Sequence, residues 1–220
     1  MFVTLEGIEG AGKSTMLGLL SAWLENSGRP TLVTREPGGS RLGRRLRSLL
    51  LDCRQESLSP LAELYLFLAD RAQHISEVIQ PALEAGQVVL CDRYADSTIA
   101  YQGYGRGMPL AELREACGMA ARNLPPDLTL LLDLPPHAGL ARAGARNRES
   151  GTVISEGRFD AESLDFHERV RRGYLELAAQ APGRITVIDA ARERDAVLHD
   201  CMAAIAARLE RAAGLGGDSA

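Results

Sequence analysis

The chain has 220 residues, 45% of them apolar, and a formal charge of −4. That length buries a sizeable core in one α/β domain with no need for disulfides or a structural metal. The 25 basic residues are scattered among 29 acids, which excludes a broad electropositive face for duplex nucleic acid and suits a mononucleotide partner.

The first apolar run, Phe2–Glu6, reads as a strand that starts the fold at once, so a signal peptide is not expected. It leads into Gly7-Ile8-Glu9-Gly10-Ala11-Gly12-Lys13-Ser14-Thr15, a complete G-x-x-x-x-G-K-[ST] sequence between a strand and an amphipathic stretch. Glycines let such a loop close around an anion, and the helix that follows adds unpaired N–H groups. Lys13 would reach the β- and γ-phosphates, and Ser14 would place its hydroxyl on Mg²⁺ with Thr15 beside it. The bland alternative is a glycine-rich turn, but strand, loop and helix stand in the order that phosphate binding needs.

A second strand at Thr31–Thr34 ends in Arg35-Glu36-Pro37-Gly38-Gly39, a loop whose glycines would allow close backbone approach to a ligand or lid. Arg41, Arg44, Arg45 and Arg47 follow on a helical pattern; most should be solvated, with one turned inward to phosphate. The longest helical pattern starts at Pro60 behind a Ser59 cap, runs to about Ala85 and should kink at Pro81. On it Phe67 and Arg71 stand four apart, which could let a base stack on one and bond the other. By spacing alone, an aromatic packed under an arginine stem is the stronger reading.

Val88–Asp92 is the third strand, and Asp92-Arg93-Tyr94 brings a carboxylate and a guanidinium out of its end together. Such a pair can hold Mg²⁺ and clamp an acceptor phosphate, or form a structural ion pair. Leu128–Asp133 is the fourth strand; Asp133 competes for the metal role but reads better as a cap on the next helix. From Ala138 to Arg158 the chain is rich in Ala, Gly and Arg, and residues 147–157 read as a mobile lid. Arg142, Arg146, Arg148 and Arg158 there suit a polyphosphate counterion, against the alternative of a solvated face near Glu149 and Glu156. A helical pattern through Gln180, a fifth strand at Ile185–Asp189 and a last helix over about 193–211 complete the chain, followed by a frayed tail, 212–220.

Five strands alternating with helices predict a parallel, doubly wound sheet, with ligands beyond the carboxyl ends of the strands. Cys53, Cys91, Cys117 and Cys201 form no C-x-x-C pair and read as reduced and mostly buried; the four histidines show no metal-ligand spacing. No apolar run nears membrane-spanning length, and a cytoplasmic location is expected.

The segments Glu-Gly-Ile-Glu-Gly-Ala-Gly-Lys-Ser-Thr, Thr-Arg-Glu-Pro-Gly-Gly, Leu-Arg-Ser-Leu-Leu-Leu-Asp, Asp-Arg-Tyr and Ala-Tyr-Gln-Gly, in this order and spacing, closely resemble the bacterial thymidylate kinases over about residues 1–211. The resemblance implies a P-loop nucleoside monophosphate kinase fold, homodimerisation, and Mg²⁺-dependent transfer of the ATP γ-phosphoryl group to dTMP. It puts Gly7 to Thr15 on ATP, with Lys13 and Ser14 on the phosphates and metal, and Asp92 near the metal and the transferring group. Arg93 and Arg47 would hold the dTMP phosphate, Phe67 would stack on thymine and Arg71 would bond its O4, against the reading from spacing alone. Ser97 and Thr98 would lie near the base edge. Tyr101 would crowd the ribose 2′ position, Glu9 would face the 3′-hydroxyl, and Glu36 and Gln102 would complete the dTMP site. The P-loop carries Glu9-Gly10 and no arginine, so the lid should supply the catalytic arginine. Arg142 would then lie against adenine, and Arg146, Arg148 or Arg158 on the phosphates. Gly157-Arg158-Phe159-Asp160 departs from the family's usual Asp-Arg-x-Glu, which leaves Asp160 and Glu162 unassigned. Another nucleoside monophosphate kinase, or a P-loop ATPase switch, are the alternatives; no N-K-x-D guanine motif is present.

Overall fold

The computed structural model describes residues 1–52, 58–150, 157–212 and 214. Its centre is a five-stranded, all-parallel sheet in the order β2-β3-β1-β4-β5, built from β1 (Phe2–Glu6), β2 (Thr31–Arg35), β3 (Val88–Asp92), β4 (Leu128–Asp133) and β5 (Ile185–Asp189). The strands fall where the apolar runs placed them, with β2 one residue longer. Strands buried on both faces read as continuous apolar runs, and β1 is buried throughout. Side-chain alternation divides the core. Val3, Leu5 and Leu90 pack with Leu17, Leu20 and Leu24 of α1 (Lys13–Asn26). Phe2, Val89 and Cys91 pack with Ile75, Ile79 and Ala82 in a second cluster. Each such leucine contributes about 1.5–3 kcal/mol by burial.

β1 lies between β3 and β4, with Leu5 level with Asp92 and Arg35 level with Asp92 across β2. The loops after β1, β2 and β3 therefore leave the sheet side by side, and this register assembles the cleft.

Helix α2 (Arg41–Leu51) is capped by Ser40, whose Oγ accepts from the Gly43 amide at 2.9 Å, and α3 (Pro60–His74) starts behind Ser59 as its composition requires. The long helical pattern does not run on unbroken. A π-helical segment, Ile75–Ile79, separates α3 from α4 (Gln80–Glu84), next to Pro81, which has no N–H to give. After β3 come α5 (Ala95–Thr98), a second π-helical segment Ile99–Gly105, and α6 (Leu110–Ala120). Then follow α7 (Pro136–Ser150), α8 (Leu164–Gln180) and α9 (Arg194–Ala212). Residues 151–156, most of the expected lid, and 215–220, most of the expected tail, lie outside the described residues, as does Cys53. Cys91, Cys117 and Cys201 are free and buried. Among the described residues no helix is long and apolar enough to cross a membrane.

Candidate active site

A cleft of about 660 Å³ opens over the carboxyl ends of β1, β2 and β3, where Glu9, Gly10, Gly12 to Thr15, Arg35 to Pro37, Phe67, Arg71, Asp92, Arg93 and Tyr101 line it. Gly10 sits at φ +71°, and a Cβ there would collide with the Gly139 carbonyl oxygen, so the loop can pass α7 only as glycine. Lys13 is almost buried, and its Nζ donates to the carbonyls of Gly7 (2.9 Å) and Ile8 (2.8 Å). Burial first and the Arg93 charge second push its pKa down to about 8. Ser14 Oγ donates to Asp92 Oδ2 at 3.3 Å, while Asp92 Oδ1 is buried with no hydrogen-bond partner among the described residues.

Arg93 holds a left-handed backbone, φ +69°, rare for a side chain with a Cβ and found where a site imposes it. Its Nη2 donates to Glu9 Oε1 (2.8 Å) and Tyr101 OH (2.9 Å), and its Nη1 to Tyr174 OH (3.1 Å) and Ser97 Oγ (3.4 Å). Tyr101 OH donates in turn to Glu9 Oε1 at 2.7 Å. Burial opposes ionisation of Glu9, but Arg93, His167 and Lys13 together hold its carboxyl well below the usual range. Behind Arg93, Glu6 Oε2 accepts from Ser97 Oγ and Tyr174 OH, and Oε1 accepts from the Tyr94 amide. Burial, then the charge of Asp96, push Glu6 up to about 7.

Arg71 is buried and nearly fully engaged. Nε donates to Glu36 Oε2 (2.9 Å), Nη2 to the Tyr94 carbonyl and Thr98 Oγ1 (3.0 Å each), and Nη1 to Cys117 Sγ (3.5 Å). Four of its five N–H groups are so committed, leaving one on Nη1. His74 Nδ1 donates to the other Glu36 oxygen at 3.1 Å, and its Nε2 meets Thr34 Oγ1. Glu36 thus orients Arg71 from beneath. Phe67 lies beside Phe159, ring centroids 6.1 Å apart, and Tyr101 meets Phe159 edge-on at 5.5 Å.

Arg47 is the member of the α2 arginine group that turns inward: it lines the cleft and donates to the Pro37 carbonyl at 3.0 Å, while Arg41, Arg44 and Arg45 are exposed. Gln102 lines the cleft, with Nε2 on Glu63 Oε1 at 2.9 Å. Arg142 lines it too, donating to the Ala190 carbonyl at 3.3 Å, whereas Arg148 is exposed on α7 and the side chain of Arg146 lies outside the description. Arg158 is placed apart from the cleft lining: it donates to Glu63 Oε2 (2.6 Å) and the Leu50 carbonyl (2.8 Å). Gly7, Ile8 and Ala11 form the loop's buried base. Asp133 does not cap α7; Arg171 grips both its oxygens, at 2.7 and 2.8 Å, because the strand end faces α8.

Sequence reasoning passed over His74, His167 and Tyr174. The last two share one face of α8 at i and i+7 with Val170 at i+3, all buried, so polar rings at core spacing were the available signal. Gly105 and Gly173 let that helix approach the second π-helical segment, where an added Cβ would strike Phe166 or Tyr104.

Comparison with known proteins agrees with this geometry. A family model described as Thymidylate kinase matches residues 5–201. The chain is 63% identical to a thymidylate kinase of Desulfovibrio desulfuricans over 96% of its own length and 97% of that protein's. It is 58% identical to one from Nitratidesulfovibrio vulgaris over 93% and 95%. A crystal structure of thymidylate kinase from Ehrlichia chaffeensis superposes with a TM-score of 0.74 at 31% identity, covering 93% of this chain and 97% of that one. A P-loop facing an acid and an arginine at the end of the neighbouring strand, in a chain so closely related over its whole length, makes this protein a member of the thymidylate kinase family of nucleoside monophosphate kinases.

Proposed function

We propose that the protein transfers the γ-phosphoryl group of ATP to dTMP, giving ADP and dTDP, with residues 1–211 as the catalytic unit and a lid at 147–157. The observation that carries this is the continuity of one cleft from Lys13 to Phe67, Arg71 and Tyr101, with Asp92 and Arg93 at the junction. The P-loop and Arg142 take ATP. Phe67 stacks on thymine, the remaining Nη1 hydrogen of Arg71 reaches O4, Ser97 and Thr98 border the base, and Tyr101 excludes a 2′-hydroxyl.

Asp92 and Ser14 offer hard oxygen donors, one of them the Oδ1 that has no hydrogen-bond partner among the described residues, and this set fits Mg²⁺. When bound, Mg²⁺ would neutralise phosphate oxygens. The acceptor phosphate, with a second pKa near about 6, is mostly dianionic at neutral pH and needs no general base. The chain's work is positioning and charge. Arg93 and Arg47 fix the acceptor phosphate, and Lys13 leaves its own loop's carbonyls for the β- and γ-phosphates. Arg146, Arg148 or Arg158 faces the charge that develops on transfer; Arg158 would leave Glu63 to do so, as Lys13 leaves its carbonyls.

Leu42 and Leu49 on α2 and Leu61 and Tyr65 on the adjoining α3 are exposed, which supports a homodimer through these helices. Sedimentation would show it. The decisive experiment for the activity is ADP release from Mg-ATP with dTMP, dUMP, UMP, CMP, AMP, GMP or no acceptor. Release strongest with dTMP supports the reading; release independent of acceptor overturns it.

A further inference from the structure

We propose that His167, on α8 and behind the cleft, is a positioning residue that holds the P-loop carboxylate of Glu9 in place for the acceptor. The proposal rests on the reading of Glu9 as the residue facing the acceptor sugar. Glu9 Oε1 is shared by Arg93 and Tyr101, which leaves Oε2 to decide how the carboxylate is turned. Oε2 faces His167 Nδ1 at 3.3 Å, short of hydrogen-bond alignment, and neither atom has another hydrogen-bond partner among the described residues. On the other side of the ring, Nε2 stands 3.0 Å from the Phe159 carbonyl oxygen, which only accepts, so Nε2 carries a hydrogen. Nδ1 then satisfies a carboxylate only by carrying one as well. Both atoms are buried, and an unmade hydrogen bond there would leave a buried carboxylate oxygen unpaired.

His167 thereby links two parts of the active site that are far apart in sequence. Phe159 lies just beyond the lid stretch and packs on Phe67 and Tyr101, while Glu9 lies in the P-loop. A turn of the Glu9 carboxylate would displace the Arg93 and Tyr101 groups that share Oε1, so the effect should fall on the acceptor and not on ATP.

Two substitutions separate the two sides of the ring, since an asparagine amide nitrogen stands near the place of Nδ1 and a glutamine amide nitrogen near that of Nε2. His167→Gln, which keeps the Phe159 bond and loses Glu9, should raise the dTMP KM about tenfold, the scale of one hydrogen bond to a charged group. The KM for ATP should stay within about twofold. The preference for dTMP over 3′-deoxythymidine monophosphate should shrink in this variant, and His167→Asn should restore both acceptor properties. Rescue by Gln and not by Asn, or an equal fall in every kinetic constant with a lowered melting temperature in both variants, overturns the proposal. Nitrogen NMR of the His167 ring at neutral pH tests the contact without activity. Hydrogens on both nitrogens, with the Nδ1 signal shifted by Glu9→Gln, support it, and a bare Nδ1 overturns it. Absence of dTMP-dependent ADP release from the unmodified protein would instead fall on the functional reading, and the NMR result would stand apart.

Discussion

The two ends of the cleft are built differently. The P-loop end comes from nine consecutive residues, and its one cation, Lys13, hydrogen-bonds to carbonyls of its own loop. The Arg71 end comes from segments 20 to 40 residues apart or more, and its guanidinium is engaged on nearly every hydrogen: Arg71 to Glu36, Tyr94, Thr98 and Cys117. A flexible ammonium suits phosphates that shift during transfer, whereas a rigid, paired guanidinium suits a planar base edge recognised in a fixed place. Loss of a residue should therefore cost activity at one end, and both activity and stability at the other.

The sharpest way to break this contrast is Lys13→Ala. Turnover should fall by about 10³-fold, the range for a lost transition-state cation or hydrogen-bond donor, with the melting temperature nearly unchanged because its two hydrogen bonds end on neutral carbonyls and no salt-bridge partner is left behind among the described residues. Steady-state kinetics with thermal unfolding check it, and a large stability loss would erase the distinction. Arg71→Ala should do the reverse in part: about 3–5 kcal/mol of stability lost, because Glu36 would be left charged and buried, together with dTMP affinity. Denaturant unfolding reads the first and acceptor KM the second.

Glu6 sharpens the comparison from beneath Arg93. Its folded-state pKa, about 7, lies above the 4.5 of an unperturbed glutamate. Between those values the folded chain keeps a proton that the unfolded chain has released, so stability falls as pH rises from 4.5 through 7. Glu6→Gln should remove up to about 3 kcal/mol of that fall, seen as a flatter dependence of unfolding free energy on pH between about 5 and 8. Asp70, raised to about 6 by burial and by Glu36, acts with the same sign and should persist in the variant. The smallest expected effects are in selectivity. Tyr101→Phe should keep the preference for dTMP over ribo-TMP while Tyr101→Ala relaxes it, and discrimination against dUMP, one methyl smaller, should be about 1–3 kcal/mol. Competition assays with paired acceptors measure both.

The same contrast explains what could be read before folding. The P-loop, the strands and the Asp92-Arg93 pair are local: a buried parallel strand is an apolar run, and a phosphate loop is a contiguous pattern of glycines with a lysine. Phe67 and Arg71 are visible as a spaced pair, but nothing local shows that Glu36 comes from another segment to hold the arginine, with His74 of the same helix on its other oxygen. Asp133 looked like a helix cap until α8 brought Arg171 to it. Nothing local shows that Arg158 meets Glu63, buried on α3 and almost a hundred residues away in the chain.

By itself the sequence determined the five strands, the phosphate loop and the family resemblance, since hydrophobic period, glycine pattern and motif spacing act over a few residues at a time. Only the tertiary structure decided which charged groups meet. Those pairings depend on the strand order that sets β1 beside β3 and on the close approach of α8 to the π-helical turn carrying Tyr101, and a buried charge takes the partner that packing brings within hydrogen-bond reach.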